Sequence, residues 1–287
     1  MTRPPAPAVA LVALLALGAC DSCAGDDRSA LATETPPTPT PEPGAAPAPV
    51  PASAPASASL AEPSLVTFEG AGAYVLHGSH WEGAPGSPAV VLLHQVGADR
   101  TEWSPVILAL VEAGFSVLAY DQRGHGASVR APDGSRRDPR ALSTEEWRAL
   151  PEDVGAALRW LAARDAPPRA VVLGGSSVGS SAALVAGAAA PEGTVAGIFV
   201  LSPGRRYRGI DAVAPLPRYG GKLLAVAAEA ETGAVDMLRT IDRLADGADT
   251  LVVEGATAHG LRLLGDDATL LGRLVTFVRN AARGSAP

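Results

Sequence analysis

The amino-acid sequence predicts an α/β fold in which helices cover both faces of a mostly parallel, eight-stranded sheet. From residue 64 onward, short aliphatic and β-branched runs alternate with longer segments of helical spacing, which is the pattern of strands joined by helices. Several of the short runs are apolar at nearly every position, as strands buried on both faces are. The chain is 47% hydrophobic, which is enough to build the core that such a sheet needs.

The predicted strands begin with a hairpin. Residues 65–69 and 73–78 are separated by a short Gly-Ala-Gly stretch, which favours an antiparallel pair at one edge of the sheet. The other six strands are predicted at residues 89–93, 116–120, 170–173, 197–201, 223–228 and 250–254.

Five segments between or after these strands repeat their apolar residues at helical spacing. They are residues 103–113, 151–164, 178–190, 235–245 and 268–282. Ser143 and Glu146 have the spacing of a capping box, which predicts a further short helix before Pro151.

Residues 1–19 are predicted to be a signal peptide. They hold one early cation, Arg3, and an apolar run over residues 9–17, which is too short to span a bilayer and typical of an export signal. The run ends in Leu-Gly-Ala-Cys at 17–20, which resembles the bacterial lipobox. By that resemblance Cys20 becomes the lipid-modified first residue and anchors an exported protein to the inner or outer membrane of a bacterial cell envelope. An ordinary signal peptide, with Cys20 and Cys23 paired or unmodified, is the alternative.

Residues 20–63 are predicted to be a disordered tether between that anchor and a single domain at 64–287. The segment is rich in proline, alanine, serine and threonine and almost free of large apolar side chains, so it cannot bury enough surface to offset the entropy of ordering. No cysteine follows Cys23, and the domain is therefore expected to lack disulfides.

Charge and residue spacing exclude two classes of function. The net charge is −7, which disfavours nucleic acid as a partner because phosphate binding needs a positive face. No spacing of His, Asp and Glu residues resembles a metal-ligand set. Neither a metal nor an organic cofactor is expected.

The motif that points to chemistry is Gly-Gly-Ser-Ser-Val-Gly at 174–179, between a predicted strand and a predicted helix. In the pattern G-x-S-x-G the serine occupies a sharp strand-to-helix turn, and glycines flank it because neighbouring backbone comes too close for side chains. Ser177 fits this pattern, with Gly175 two residues before it and Gly179 two after, whereas Ser176 does not. A glycine-rich turn without chemistry is the alternative interpretation.

A serine nucleophile needs a base, and the base needs a carboxylate that orients it. In the strand-turn-helix arrangement both partners follow the serine along the chain, the acid first. His259 is the one histidine after Ser177, and it lies in a glycine-containing loop behind the last predicted strand. The carboxylate candidates that precede it are Glu229, Glu231 and Asp236.

Together these features are similar to the α/β-hydrolase superfamily over residues 64–283. The segment His94-Gln95-Val96-Gly97 resembles the family's loop that completes the oxyanion hole, which implies backbone donors at Val96 and Val178, although Gln95 replaces the usual glycine. Residues 121–128 are similar to the family's D-x-R-G-x-G-x-S turn, interpreted as structural. Because the acid in this family usually lies a few residues beyond its strand, the resemblance favours Glu231, with Glu229 and Asp236 as alternatives.

The resemblance also bears on the type of hydrolase. Many relatives carry a helical lid before the acid strand, but residues 202–221 form a short Pro-, Gly- and Arg-rich connection that leaves no room for a substantial helical cap. The chain therefore resembles the lidless branch of dienelactone hydrolases and small serine esterases. This resemblance implies a serine hydrolase, in which Ser177, His259 and Glu231 cleave a small-molecule carboxylic ester or a related acyl bond. A peptidase or thioesterase of the same superfamily and a non-catalytic binding module are the alternatives.

Overall fold

The computed structural model describes residues 62–284. The predicted signal peptide, Cys20 and all but the last two residues of the predicted tether lie outside the described residues. Within residues 62–284, no helix combines the length and the apolar content that crossing a membrane requires.

Eight strands form one mixed sheet in the order β1-β2-β4-β3-β5-β6-β9-β10. All neighbouring pairs from β4 to β10 are parallel, and β2 is antiparallel to both of its neighbours. A separate pair, β7 and β8, makes a small antiparallel hairpin. The strands are β1 (Ser64–Glu69), β2 (Val75–Trp81), β3 (Ala89–Leu93), β4 (Ser116–Tyr120), β5 (Val171–Ser176), β6 (Val195–Leu201), β7 (Arg206–Tyr207), β8 (Ile210–Asp211), β9 (Lys222–Ala228) and β10 (Asp249–Val253).

Helices cover both faces of the sheet, in two separate apolar clusters. One cluster packs α3, α4 and α5 on the sheet, and the other packs α1, α6 and α7 on the opposite face. Alternate residues of a central strand belong to opposite clusters, as the two-residue period of a strand requires; Val91 and Val90 of β3 are an example. The helices are α1 (Ser104–Glu112), α2 (Thr144–Arg148), α3 (Leu150–Ala162), α4 (Val178–Ala189), α5 (Thr232–Leu244), α6 (Leu263–Asp266) and α7 (Leu270–Arg283).

The predicted fold class is confirmed, including the antiparallel hairpin at one edge of the sheet. The structure also has the predicted capping box: the Ser143 hydroxyl accepts from the Glu146 amide, and the Glu146 carboxylate accepts from the Ser143 amide. Between β6 and β9 the described chain forms the β7–β8 hairpin and a short 3₁₀ turn at Leu216–Arg218, and no substantial helical cap is present in this described stretch.

The order of the strands places the loops that carry Ser177, Glu231 and His259 at the carboxyl-terminal edge of the sheet. Strand β3 lies between β4 and β5, so the chain leaves β3 toward one side of the sheet and later returns to its other side. Ligands of open α/β sheets bind at such a switch point, outside the carboxyl ends of the strands. The loops that follow β3, β5, β6, β9 and β10 all leave from that edge.

Candidate active site

Ser177 lies in a sharp turn between β5 and α4. Its backbone has φ 54° and ψ −114°, a left-handed conformation that non-glycine residues rarely adopt. The Ser177 N–H donates to Leu201 O at 2.9 Å, which fixes the turn against the end of β6. The turn thereby lifts the side chain away from the sheet at the start of the helix, as a nucleophile elbow does.

The two motif glycines are required by close packing of backbone around this turn. A Cβ atom at Gly175 would lie 2.5 Å from Gly179 O, and one at Gly179 would lie 2.3 Å from Leu93 O. Both separations are far below van der Waals contact. The G-x-S-x-G spacing thus has a steric cause in this fold: the start of α4 lies close to β5 at Gly175 and close to the end of β3 at Gly179.

His259 and Glu231 form a hydrogen-bonded pair. His259 Nδ1 lies 2.5 Å from Glu231 Oε1. A carboxylate can only accept, so Nδ1 carries a proton, and in the neutral imidazole Nε2 then keeps a lone pair for a base. The His259 side chain is 42% exposed and that of Glu231 is 16% exposed. The imidazole therefore has access to solvent while its carboxylate partner is largely covered.

The structure separates the three candidate carboxylates. Glu231 stands immediately before α5 and contacts His259, whereas Glu229 Oε2 accepts the Gly255 amide at 2.8 Å. Asp236 lies on the exposed side of α5 and pairs with Arg239 at 2.6 Å. Of the three, Glu231 has the position of an orienting acid.

The histidine loop packs directly on the serine turn. Leu261 N–H donates to Ser176 Oγ at 3.2 Å, and Gly260 N–H donates to Ser202 Oγ at 2.8 Å. Ser176 precedes Ser177, so the residue beside the elbow holds the residues that follow His259. The packing brings Ser177, His259 and Glu231 to one region of the sheet edge. Among the described residues, the Ser177 hydroxyl has no hydrogen-bond partner.

The two backbone amides predicted as oxyanion donors follow strands β3 and β5. Val178 is the first residue of α4, where N–H groups have no partner within the helix and the helix dipole is positive. Val96 lies in the loop after β3 and is 37% exposed. Its neighbour Gln95 donates its own N–H to Glu102 Oε2 at 3.0 Å, so the carboxylate of Glu102 fixes the loop that carries the Val96 amide. Burial raises the pKa of Glu102 above its usual value of 4.5.

A buried histidine secures the same loop from the other side. His94 Nδ1 donates to Gln95 O at 2.7 Å, and its Nε2 accepts the Gln122 amide at 3.0 Å. Burial, reinforced by the neighbouring His125, lowers the pKa of His94 to about 3. The imidazole is therefore neutral at ordinary pH, as its acceptor role at Nε2 requires.

The turn at residues 121–128 is a rigid support. The buried Asp121 carboxylate accepts the amides of Arg100 and Ala127 at 2.8 and 2.7 Å and pairs with the Arg100 side chain. Arg123 forms a second buried ion pair, with Asp153 at 2.5 Å. These bonds occupy the charged groups of the turn within the protein, so the turn positions neighbouring loops.

Two residues of this region carry no signal in the sequence, namely Ser202 and Glu102. Ser202 is a serine at the end of a strand, and its partners are distant along the chain. Glu102 lies in a 3₁₀ turn before α1, where a glutamate is ordinarily a solvated residue. Among residues 62–284, no group of three or more His, Cys, Asp and Glu side chains could hold a metal ion.

Comparison with known proteins identifies the family. The family model Hydrolase_4, described as serine aminopeptidase, S33, matches residues 85–240. Among solved structures, a dienelactone hydrolase from Anabaena variabilis is 19% identical and superposes with a TM-score of 0.62, covering 77% of this chain and 99% of that one. An esterase from Pyrococcus furiosus is 15% identical, with a TM-score of 0.61 over 77% of this chain and 91% of that one. Both similarities show the fold.

Curated relatives are similar over shorter segments. Epoxide hydrolase A of Mycobacterium tuberculosis is 42% identical over 74 residues, which are 26% of this chain and 23% of that protein. A 2-succinyl-6-hydroxy-2,4-cyclohexadiene-1-carboxylate synthase from Salmonella paratyphi B is 41% identical over 64 residues, which are 22% of this chain and 25% of that protein. The chain thus spans about a quarter of the length of the curated relatives it matches.

Proposed function

We propose that this chain, which belongs to the Hydrolase_4 family (serine aminopeptidase, S33) of α/β hydrolases, is a serine hydrolase that cleaves carboxylic esters through an acyl-enzyme. The main support is that the loop of His259, whose Nδ1 lies 2.5 Å from a Glu231 carboxylate oxygen, packs on the strained β5–α4 turn that carries Ser177. A nucleophile, a base and an orienting acid in that arrangement are what acyl transfer requires.

The reaction follows from the roles of these groups. Ser177 Oγ attacks the ester carbonyl carbon while His259 Nε2 takes the hydroxyl proton. The carbonyl oxygen becomes an oxyanion, and the amides of Val96 and Val178 are the donors we assign to it. The C–O bond then breaks, His259 returns the proton to the leaving alcohol, and an acyl-Ser177 ester remains. Water then attacks the acyl carbon while His259 Nε2 takes a proton from it. The bond from the acyl carbon to Ser177 Oγ breaks, the carboxylic acid leaves, and His259 returns the proton to Ser177 Oγ. Glu231 holds the tautomer of His259 through both stages.

The sharpest test compares two neighbouring glutamates. Hydrolysis of p-nitrophenyl esters with two-, four- and eight-carbon acyl chains is measured for the full chain, for Glu231→Gln and for Glu229→Gln. We expect Glu231→Gln to lower kcat about 10²- to 10⁴-fold, because the amide cannot hold the productive tautomer of His259. Glu229 contacts a loop amide and not the imidazole, so Glu229→Gln should stay within about threefold of wild type.

The result that contradicts the proposal is equal activity of the two variants, or a larger loss in Glu229→Gln. A folded wild type that hydrolyses none of the esters and takes up no serine-directed inhibitor would favour a non-catalytic binding module on the same fold.

Aminopeptidase activity is the second candidate, because the matching family model is described as serine aminopeptidase. The same serine, histidine and carboxylate can cleave an amide, with the amine in place of the alcohol as leaving group. Prolyl and alanyl p-nitroanilides assayed beside the esters decide between the two. A kcat/KM for an anilide above that for every ester would replace esterase by peptidase.

We also propose that the protein is exported and lipid-anchored through Cys20. The Leu-Gly-Ala-Cys sequence at 17–20 supports it, and each buried methylene of an acyl chain adds about 0.8 kcal/mol of membrane attachment. Expression in bacteria fed an alkyne-tagged palmitate tests it. We expect Cys20→Ser to abolish labelling and membrane association, and Cys23→Ser to leave both intact. Labelling retained in Cys20→Ser would contradict the anchor.

A further inference from the structure

We infer that Ser202 is a positioning residue for the proposed triad, because its hydroxyl couples the Glu231 carboxylate to the loop that carries His259. The inference rests on the proposed serine-hydrolase function. Ser202 lies outside the G-x-S-x-G motif and is neither the proposed acid nor the proposed base.

The hydroxyl of Ser202 makes one hydrogen bond in each direction. It donates to Glu231 Oε2 at 2.5 Å, and it accepts the Gly260 N–H at 2.8 Å. A hydroxyl has one donor hydrogen and free lone pairs, so one group satisfies both partners. The residue is 4% exposed, and water therefore has little access to replace either bond.

The first bond fixes the orientation of the acid. Glu231 Oε2 has one other partner, the Ala228 N–H at 3.2 Å, while Oε1 faces His259 Nδ1. The short bond from Ser202 is the closer of the two contacts that oppose rotation of the carboxylate about its last side-chain bond. Without it, only the 3.2 Å contact with the Ala228 N–H holds Oε2, and Oε1 is less firmly held toward the imidazole.

The second bond fixes the base. Gly260 directly follows His259, and its buried N–H has Ser202 Oγ as acceptor. A buried N–H without an acceptor is unfavourable, so loss of the hydroxyl favours movement of this loop toward solvent. Both ends of the His259–Glu231 pair therefore depend on one oxygen atom.

The backbone conformation of Ser202 favours glycine over serine. Ser202 has φ +51°, where a non-glycine residue is strained and glycine is not. The residue is also held in place by donation of its N–H to Val226 O at 2.7 Å. Glycine would fit the backbone with less strain, and the feature that serine adds at this position is the hydroxyl with its two bonds.

Two variants separate this role from a folding defect. Ser202→Ala and Ser202→Gly both remove the hydroxyl, but Ser202→Gly also relieves the strained φ. For the full chain we expect both to lower kcat for a p-nitrophenyl ester about 10- to 100-fold, the loss typical of a misplaced reacting group, with KM within about threefold. In urea unfolding, Ser202→Gly should be the more stable variant.

A double mutant shows whether Ser202 acts through Glu231. If it does, Ser202→Gly in a Glu231→Gln background should lower kcat no further than Glu231→Gln alone, because residues of one network are not additive. The inference is overturned if either single variant keeps kcat within about threefold of an active wild type, or if the two losses multiply in the double mutant. A wild type without ester or anilide hydrolysis overturns the proposed function itself, and is distinguished by the equal inactivity of every variant.

Discussion

Replacing Ser177 by glycine should stabilise the folded protein while it abolishes activity. The backbone at this position has φ 54° and ψ −114°, and a non-glycine residue held in a sparsely populated region costs about 1–3 kcal/mol. Glycine removes that strain but gives the unfolded chain extra freedom worth about 0.4–1 kcal/mol. The net expectation is a gain of about 1 kcal/mol in the free energy of unfolding for Ser177→Gly relative to Ser177→Ala.

Urea unfolding of both variants measures this difference. Ser177→Ala is the proper reference for Ser177→Gly, because both variants lack the hydroxyl. Ser181 provides the matched control, since it lies inside α4 with helical geometry. There Ser181→Gly should be less stable than Ser181→Ala by about 1 kcal/mol. If Ser177→Gly is no more stable than Ser177→Ala, a non-glycine residue is not strained at this turn, which contradicts the prediction.

Three further predictions concern packing and pH. Gly179→Ala should lower the free energy of unfolding by at least about 2 kcal/mol and abolish hydrolysis, because its Cβ would lie 2.3 Å from Leu93 O; unchanged urea unfolding would contradict the packing. Burial raises the pKa of Glu102 from its usual 4.5, so the folded chain holds that proton to higher pH and loses stability as pH rises through this window. The free energy of unfolding of Glu102→Gln should therefore rise relative to that of wild type as pH increases above 4.5, and parallel pH curves in urea unfolding would refute it. Burial, with the nearby Arg164, lowers the pKa of His80 from 6.5 to about 4, so the unfolded chain takes up a proton first as pH falls. At about 1.4 kcal/mol per pH unit, wild type should lose about 3 kcal/mol across that range, and His80→Gln should remove most of the loss; an equal acid loss in both proteins would count against it.

The strands were predictable where burial alone decides their sequence. Strands β3 and β4 occupy the predicted residues because they are apolar at nearly every position and buried throughout. The prediction ended β5 at Leu173, whereas the strand continues through Gly174 and Gly175 to Ser176. Glycine and serine carry little strand propensity, and pairing with β3 and β6 on both sides extends the strand there.

The β7–β8 hairpin was not predicted for a related reason. Each of its strands is two residues long, so no alternation of apolar and polar residues can show in the sequence. Its place is fixed by tertiary contacts, such as the edge-to-face packing of Tyr207 on Trp147 at 5.5 Å between ring centroids.

The sequence identifies one candidate serine and one candidate histidine, but it leaves the choice of carboxylate open. Ser177 has a motif with a steric cause, and His259 is the one histidine that follows it. The two glutamates Glu229 and Glu231 could not be told apart by sequence alone, because their contacts depend on the direction in which each side chain leaves the loop after β9; in the structure Glu231 contacts His259 and Glu229 contacts the Gly255 amide. Ser202 was beyond prediction, because its two partners lie 29 and 58 residues away along the chain.

The central claim is that Ser177 is an activated nucleophile, and the most direct measurement is the site of a fluorophosphonate adduct. The full chain is treated with the probe, and intact mass followed by peptide mapping locates the adduct. We expect a single adduct on Ser177, none in Ser177→Ala, and labelling of His259→Ala slowed about 10³-fold or more. A folded wild type without an adduct, or with an adduct on another residue, would contradict it.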